Sequence, residues 1–207
     1  MLDQLSSLIL QVYDIPALIA WGGYTVLFLI IFAETGLLIG FFFPGDSLLI
    51  SAGLFAALGR LDLVTLLVLL IPAAIIGDAV GYTIGARLGA RLYRKKDSFF
   101  FRKKHLAAAK AFYEKHGGKT IILARFVPVI RTFAPVVAGA AGMTYKQFAA
   151  YNVIGGVLWV GGVILLGYFL GGIVPDLEHN ILYLVVTVVV LSLVPVALEY
   201  LKMRRAS

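Results

Sequence analysis

Cysteine is absent from this 207-residue chain, and charged side chains are scarce at 14% of its residues. Without thiols the chain can form no disulfide, no cysteine-ligated zinc or iron–sulfur centre and no thiol nucleophile. The histidines, His105, His116 and His179, lie in predicted loops, and we expect neither a metal site nor a cofactor. Hydrophobic residues instead make up 61% of the chain, and its mean hydropathy is +0.96, which is typical of an integral membrane protein.

The N-terminal stretch MLDQLSSLILQVYD has acids where a signal peptide would have bases. We therefore expect no cleaved leader. For so short a chain we expect one membrane domain over residues 1–207.

Positive charge is concentrated in one segment. The net charge is +7, and most of the 18 Lys and Arg residues lie between Arg87 and Lys119. The positive-inside rule places segment 87–119 in the cytoplasm, together with the C-terminal KMRRAS. Because aromatic residues are interleaved with the bases, residues 92–118 are predicted to form an amphipathic segment on anionic lipid. Binding to nucleic acid is the less favoured reading of these bases.

The first apolar stretch runs from Ile15 to about Gly59, which is too long for one crossing of about 20 residues. We predict crossings near 18–40, 61–88, 145–171 and 181–201. The acidic linker GGIVPDLEHN contains no Lys or Arg and should face outside, so the crossings at 145–171 and 181–201 take the chain out of the cytoplasm and back. The basic segment before them and the tail after them then lie on the same side of the membrane only if segment 119–143 enters and leaves the membrane on that side. Segment 41–58 is interpreted in the same way, which places the N-terminus in the cytoplasm.

The predicted fold class is therefore an all-α helical bundle with two re-entrant, broken-helix segments, about 41–58 and 119–143. A faint internal echo, FFP before Ala52 and Gly53 and FVP before Ala138 and Gly139, indicates a pseudo-inverted repeat. Such repeats with broken helices are the pattern of many secondary transporters.

A stripe of glycines lies in GDAVGYTIGARLG. Small residues four apart let membrane helices approach closely, so the stripe is predicted to be a packing surface. It would serve association within a chain or between chains, which leaves a homo-oligomer open. The stripe consists of Gly77, Gly81, Gly85 and Gly89.

Two carboxylates, Glu34 and Asp46, lie in the apolar stretch ETGLLIGFFFPGDSLL. On one straight helix they would be roughly 18 Å apart. A fold-back at Pro44 and Gly45 would let them converge, and a buried, partly wet cavity could satisfy the backbone groups that the break releases.

Two arginines, Arg125 and Arg131, lie in RFVPVIRTFAPVVAG with Pro128 and Pro135. Six positions apart, they point to opposite sides of an ideal helix, but a break at Pro128 would turn both toward one point. A charge near the bilayer centre costs about 3 kcal/mol on insertion scales, so the presence of four of them calls for a structural or functional reason.

These four charges have two readings: ion pairs that only hold the broken segments, or a site where arginines bind an anion and acids respond to protons. Arginine suits phosphate because its planar guanidinium group donates two parallel hydrogen bonds and stays charged. Asp78 belongs to the site or merely pairs with an arginine. For Asn152 and Trp159 a structural role is favoured.

The motifs ETG, FPGDSLL, GDAVGYTIGARLG and RFVPVIRTFAPVVAGAAGM together resemble the DedA family of bacterial inner-membrane proteins, relatives of the VTT-domain lipid scramblases. The resemblance covers about 22–171. It places the family's two acidic positions on Glu34 and Asp46 and its two arginine positions on Arg125 and Arg131.

The resemblance implies a multi-pass protein of the bacterial inner membrane that moves a phospholipid or a polyprenyl phosphate, such as undecaprenyl phosphate, between leaflets. It also implies links to proton-motive force and to resistance against cationic antimicrobial peptides. We expect Arg125 and Arg131 to bind the phosphate, and Glu34 and Asp46 to couple its movement to protons.

Two other functions stay open at this point. A proton-coupled antiporter of cations or drugs would use the same carboxylates, although two buried arginines disfavour a purely cationic site. A lipid phosphatase would need a positioned nucleophile or a metal, and the sequence offers neither near these segments. We therefore expect no enzymatic activity.

Overall fold

The computed structural model describes residues 15–37, 45–92, 117–174, 176 and 183–187. The described residues form helices and turns with no strand among them, which confirms the predicted all-α class. Pro44, the basic segment at 93–116 and most of the predicted crossing at 181–201 lie outside them. The helices are α1 (Ile15–Gly36), α2 (Gly45–Ala57), α3 (Leu63–Leu92), α4 (Lys119–Ala124), α5 (Pro128–Ala140), α6 (Tyr145–Gly156) and α7 (Gly162–Ile173), with a π-helical turn (Val157–Gly161) between α6 and α7.

Two stretches in the described part of the chain are long and apolar enough to cross a membrane. One is Leu63–Arg87, with 25 residues, and the other is Tyr145–Ile173, with 29. Both exceed the roughly 20 residues that one crossing requires. They lie close to the crossings predicted at 61–88 and 145–171.

The predicted crossing at 18–40 is an interrupted helix. Inside α1 the backbone of Gly23 has φ 48° and ψ −137°, outside the helical region. Glycine reaches a positive φ without the steric penalty that a Cβ brings, so the sequence GG at 22–23 permits this break. After this break the apolar helix continues to Gly36.

The predicted break at Pro128 is present. Helix α4 has six residues, and the next helix, α5, begins at Pro128 after an extended Val127 with φ −117° and ψ 107°. Proline clashes with a helical residue before it and has no N–H to donate, so the chain cannot continue α4 through this point. Arg125 therefore ends one helix, and Arg131 lies in the first turn of the next.

The described chain divides into two compact units. The first takes the residues up to Ile30, those from Gly45 to Leu70, and those from Val160 onward. In it α2 packs along α7. A side chain at Gly53 would overlap the carbonyl oxygen of Ile164, and one at Gly167 would overlap that of Ile50. Glycine at both positions allows this close packing.

The start of α3 is capped in the first unit. Asp62 Oδ1 accepts hydrogen bonds from the Thr65 amide at 2.7 Å and from the Thr65 hydroxyl at 2.6 Å. The Asp62 amide in turn donates to the Tyr24 hydroxyl at 2.6 Å. An aspartate at this position satisfies an amide that the first turn leaves free.

The second unit takes residues 31–37, 71–92 and 117–159 of the described chain. Its α3 glycines face neighbouring helices. A Cβ at Gly77 would overlap the Thr35 hydroxyl, and one at Gly85 would overlap the carbonyl of Val136. Gly81 lies beside Pro135, where a Cβ would be 3.4 Å from the proline Cβ. The contacts of Gly89 lie outside the described part.

An aromatic cluster also lies in the second unit. The rings of Tyr82 and Phe148 stack with centroids 4.5 Å apart, and Tyr145 lies 5.6 Å from Tyr82. The Tyr82 hydroxyl donates to the carbonyl of Met143. This contact ties α3 to the turn between α5 and α6.

Candidate functional site

The first ion pair of the second unit joins α1 to α5. Arg131 Nη2 donates to Glu34 Oε1, and the Glu34 side chain is almost completely buried, with 1% exposed. The two residues are 97 positions apart in the sequence. Glu34 is in the last turn of α1 and Arg131 in the first turn of α5, so the proline that starts α5 also sets where this arginine stands.

The second ion pair joins α4 to α3. Arg125 Nη2 donates both to Asp78 Oδ2 and to Asn152 Oδ1. Asn152 on α6 is fixed in turn, because its Nδ2 donates to the carbonyl of Ile75 at 2.9 Å. The Arg125 stem passes close to α6, where a Cβ at Gly155 would lie 2.8 Å from Arg125 Cδ. Helices α3 and α6 therefore hold the guanidinium of the arginine that follows α4.

One aromatic ring lies next to both arginines. Arg131 Cζ is 4.4 Å from the centroid of Trp159, and Arg125 Cζ is 5.9 Å from it. A cation within about 6 Å of a ring is attracted by the negative face of the π-system. Trp159 is buried, with 2% of its surface exposed. The two ion pairs and the ring therefore form one cluster.

The cluster is buried and its formal charges cancel. Its six members are Glu34, Asp78, Arg125, Arg131, Asn152 and Trp159, and all are buried. Two arginines balance two carboxylates, as burial in a low-dielectric interior requires. In the described part of the chain, Arg125 Nε is buried without a hydrogen-bond partner. Hydrogen-bonding capacity is therefore left at the cluster for a ligand.

Other predicted site residues lie in α2 and α5. Asp46 is half-buried in the first turn of α2, in the first unit, so its convergence with Glu34 stays a prediction. Gly45 is the first residue of α2, while its neighbour Pro44 is outside the described residues. Pro135 lies inside α5, where its ring packs beside Gly81.

Three members of the cluster, Asp78, Asn152 and Trp159, were left open or interpreted as structural from the sequence, and the structure places all three beside the arginines. A signal was present for Asp78, since a carboxylate inside an apolar helix needs a cation. For Trp159 the sequence carries no comparable signal, because its direction depends on a π-helical turn.

Among known proteins, the chain matches the family model of the VTT domain over residues 43–169. It is 51% identical over 186 residues to Protein DedA of Escherichia coli (strain K12), which covers 89% of this chain and 84% of the relative. It is 44% identical over 166 residues to an uncharacterized membrane protein of Mycobacterium leprae (strain TN), with coverages of 80% and 74%. Inner membrane protein YqjA of Escherichia coli (strain K12) is 38% identical over 148 residues, with coverages of 72% and 67%.

No solved structure matches the chain. Its apolar helices and the family match define a helical membrane protein that carries a VTT domain. The chain belongs to the DedA family of membrane proteins.

Proposed function

We propose that this protein moves a phosphate-bearing lipid, undecaprenyl phosphate or a phospholipid, between membrane leaflets. Arg125 and Arg131 bind the phosphate headgroup while the apolar tail stays in the bilayer. The observation that carries the proposal is the pair of buried arginines next to one ring, each matched by a carboxylate. Guanidinium groups donate parallel hydrogen bonds to phosphate oxygens and keep their charge at every physiological pH.

The charge balance of the cluster supports proton coupling. With its two carboxylates ionised, the cluster has no net charge, and a bound phosphate would leave a buried negative charge that is costly. Protonation of a carboxylate removes that charge and releases its arginine for the phosphate. Glu34 and Asp78 are the carboxylates in contact with the arginines. Asp46 is assigned to proton handling by its position in the family's motif.

The proposed architecture has two re-entrant segments, about 41–58 and 119–143, in a pseudo-inverted repeat. Helices α2 and α5 have 13 residues each, or about 20 Å at the helical rise. The hydrocarbon core is about 30 Å thick, so neither helix crosses it alone. Non-helical backbone within a membrane is stable only where it is buried or lines a cavity, which fits a substrate site.

The proposed location is the bacterial inner membrane, with segment 87–119 and both termini in the cytoplasm. The charge distribution supports this orientation, and one relative is named an inner membrane protein. The proposed partners are membrane lipids, polyprenyl phosphate and protons, with no nucleic acid. We propose transport without covalent chemistry, so the protein is not assigned as an enzyme.

Transfer between leaflets of proteoliposomes tests the proposal. Purified protein should accelerate the movement of undecaprenyl phosphate, and Arg131→Ala and Glu34→Gln should abolish it. Lys146→Ala is the matched control, because Lys146 is an exposed base at the start of α6. Transfer that is unchanged in correctly inserted Arg131→Ala protein would contradict the site assignment.

The same vesicles separate the proposal from a cation antiporter. An antiporter would dissipate a pH gradient when a cation is added, without any lipid movement. The pairing of Glu34 and Asp78 with arginines disfavours that function, because a cationic substrate would have to displace a guanidinium from each carboxylate.

A further inference from the structure

The stretch that carries Trp159 has an unusual backbone. Residues Val157–Gly161 form a π-helical turn between α6 and α7. A π turn accommodates an extra residue within a helix and changes the directions in which the following side chains point. Such turns are rare and occur often at functional sites. The fold therefore departs from regular helix at the residue that faces both arginines.

The indole ring contacts the guanidinium groups of two different ion pairs. Arg131 and Arg125 come from separate helical segments, and their Cζ atoms lie 4.4 Å and 5.9 Å from the ring centroid. Two like charges repel each other in a buried site, and the ring offers each of them an attractive surface. Ordinary packing needs only apolar volume at this position, whereas this ring lies where its π-electrons can act on two cations.

A guanidinium can stack on an aromatic ring through its flat face. Its N–H donors point outward in its own plane, and there they can bond to a carboxylate or to a phosphate. When a phosphate replaces a carboxylate at an arginine, the ring contact can persist through the exchange. The arginine then keeps its place while its partner changes.

We propose that Trp159 is the positioning residue of the phosphate site: its ring holds Arg125 and Arg131 so that their donors reach one phosphate group. This inference rests on the proposed function and adds a residue to it. Trp159 acts through the arginines. Its loss therefore weakens lipid binding more than it slows the transfer step.

Substitution of the ring gives the first test. We expect the apparent KM for undecaprenyl phosphate to increase in the order Trp159, Trp159→Phe, Trp159→Leu, with an increase on the order of tenfold for leucine. Phenylalanine retains a smaller π-face, and leucine retains only apolar volume. The maximal rate should change less than KM. Equal KM values for the leucine variant and the wild type would overturn the inference.

Fluorinated tryptophan gives a second test that preserves the shape of the side chain. The chain has two tryptophans, so Trp21→Phe leaves Trp159 as the single site of incorporation. Fluorine withdraws electrons from the ring face and weakens cation–π attraction. Increasing the number of fluorine atoms should raise the apparent KM stepwise in correctly inserted protein. A flat series would overturn the inference even if Trp159→Leu fails to fold.

Emission from the same Trp21→Phe protein distinguishes the two proposals. Titration with a short-chain polyprenyl phosphate should change Trp159 emission saturably, and the matching polyprenol should not. Phosphate-dependent lipid transfer could occur while KM is unaffected by changes to the ring and Trp159 emission is unaffected by the phosphate lipid. In that case the positioning role fails and the proposed function stands. If the wild type neither binds nor moves the phosphate lipid, the proposed function fails and this inference fails with it.

Discussion

Arg125 and Asp78 form a buried ion pair across 47 positions of sequence, at the end of α4 and in the middle of α3. Both side chains are almost completely removed from solvent. Breaking a buried pair by removing one charge typically costs about 3 kcal/mol or more, because the remaining charge has no counter-charge. The pair therefore links the conformation of the broken segment to that of α3.

Neutralisation of Asp78 should destabilise the second unit. We expect Asp78→Asn to reduce stability by about 3 kcal/mol, since Arg125 keeps its charge and loses its counter-ion. Thermal melting of detergent-solubilised protein would measure this. Asp78→Asn with Arg125→Gln should recover part of the loss, because both charges are gone. Asp176→Asn, at an exposed position, is the matched control. A melting temperature unchanged by Asp78→Asn would show that the pair is not structurally important.

Substitution of a glycine in the stripe should disturb helix packing, whereas substitution of a glycine with open space beside it should not. A Cβ at Gly85 would overlap the carbonyl of Val136, so Gly85→Ala forces α3 and α5 apart and should cost about 1–3 kcal/mol. Gly162→Ala is the control, because no atom lies within 4 Å of its added Cβ. That variant should be neutral or more stable by up to about 1 kcal/mol. Similar losses for both alanines would argue against close packing at Gly85.

The cap of α3 predicts a pH effect. Hydrogen bonds from Thr65 lower the pKa of Asp62 below its usual value, with the larger effect from the hydroxyl and the smaller from the amide. When folding lowers the pKa of a carboxyl group, that group stabilises the protein at pH values above its pKa in the unfolded chain, which is near 3.9. This stabilisation disappears as the pH falls through the pKa that the group has in the folded protein.

Melting temperatures of the wild type and Asp62→Asn, compared from neutral pH to about pH 3, would measure the effect. The difference should be constant at neutral pH and should shrink below about pH 4, because asparagine caps the helix without titrating. A difference that does not change with pH would show that the charge of Asp62 contributes nothing.

Hydropathy and helix breakers predicted much of the fold. The crossings near 61–88 and 145–171 follow from apolar length, and the break at Pro128 follows from the missing amide and the restricted residue before it. The break inside α1 was not predicted. A double glycine at 22–23 permits it but does not require it, since glycine is also tolerated within membrane helices.

The candidate site was predictable in its charges but less so in its pairing. Buried acids and arginines attract attention in any apolar sequence, yet Glu34 pairs with Arg131 and Asp78 with Arg125 through contacts between distant helices. No local pattern encodes which acid meets which arginine. The position of Trp159 depends on a π turn. The sequence of Val157–Gly161 has no proline, and its one glycine, Gly161, is also tolerated within regular membrane helices, so no local signal predicts the turn.

The balanced charges of the cluster predict proton uptake on ligand binding. A phosphate that joins two arginines and two ionised carboxylates would leave net negative charge in a buried site, so we expect about one proton to be taken up with each phosphate lipid near neutral pH. Calorimetric titrations in two buffers with different ionisation enthalpies measure that number. Glu34→Gln should reduce it, because one acceptor is removed, and the matching polyprenol should give none. Binding of the phosphate lipid without any proton uptake would mean that the carboxylates stay ionised, and their role would then be limited to holding Arg125 and Arg131 in place.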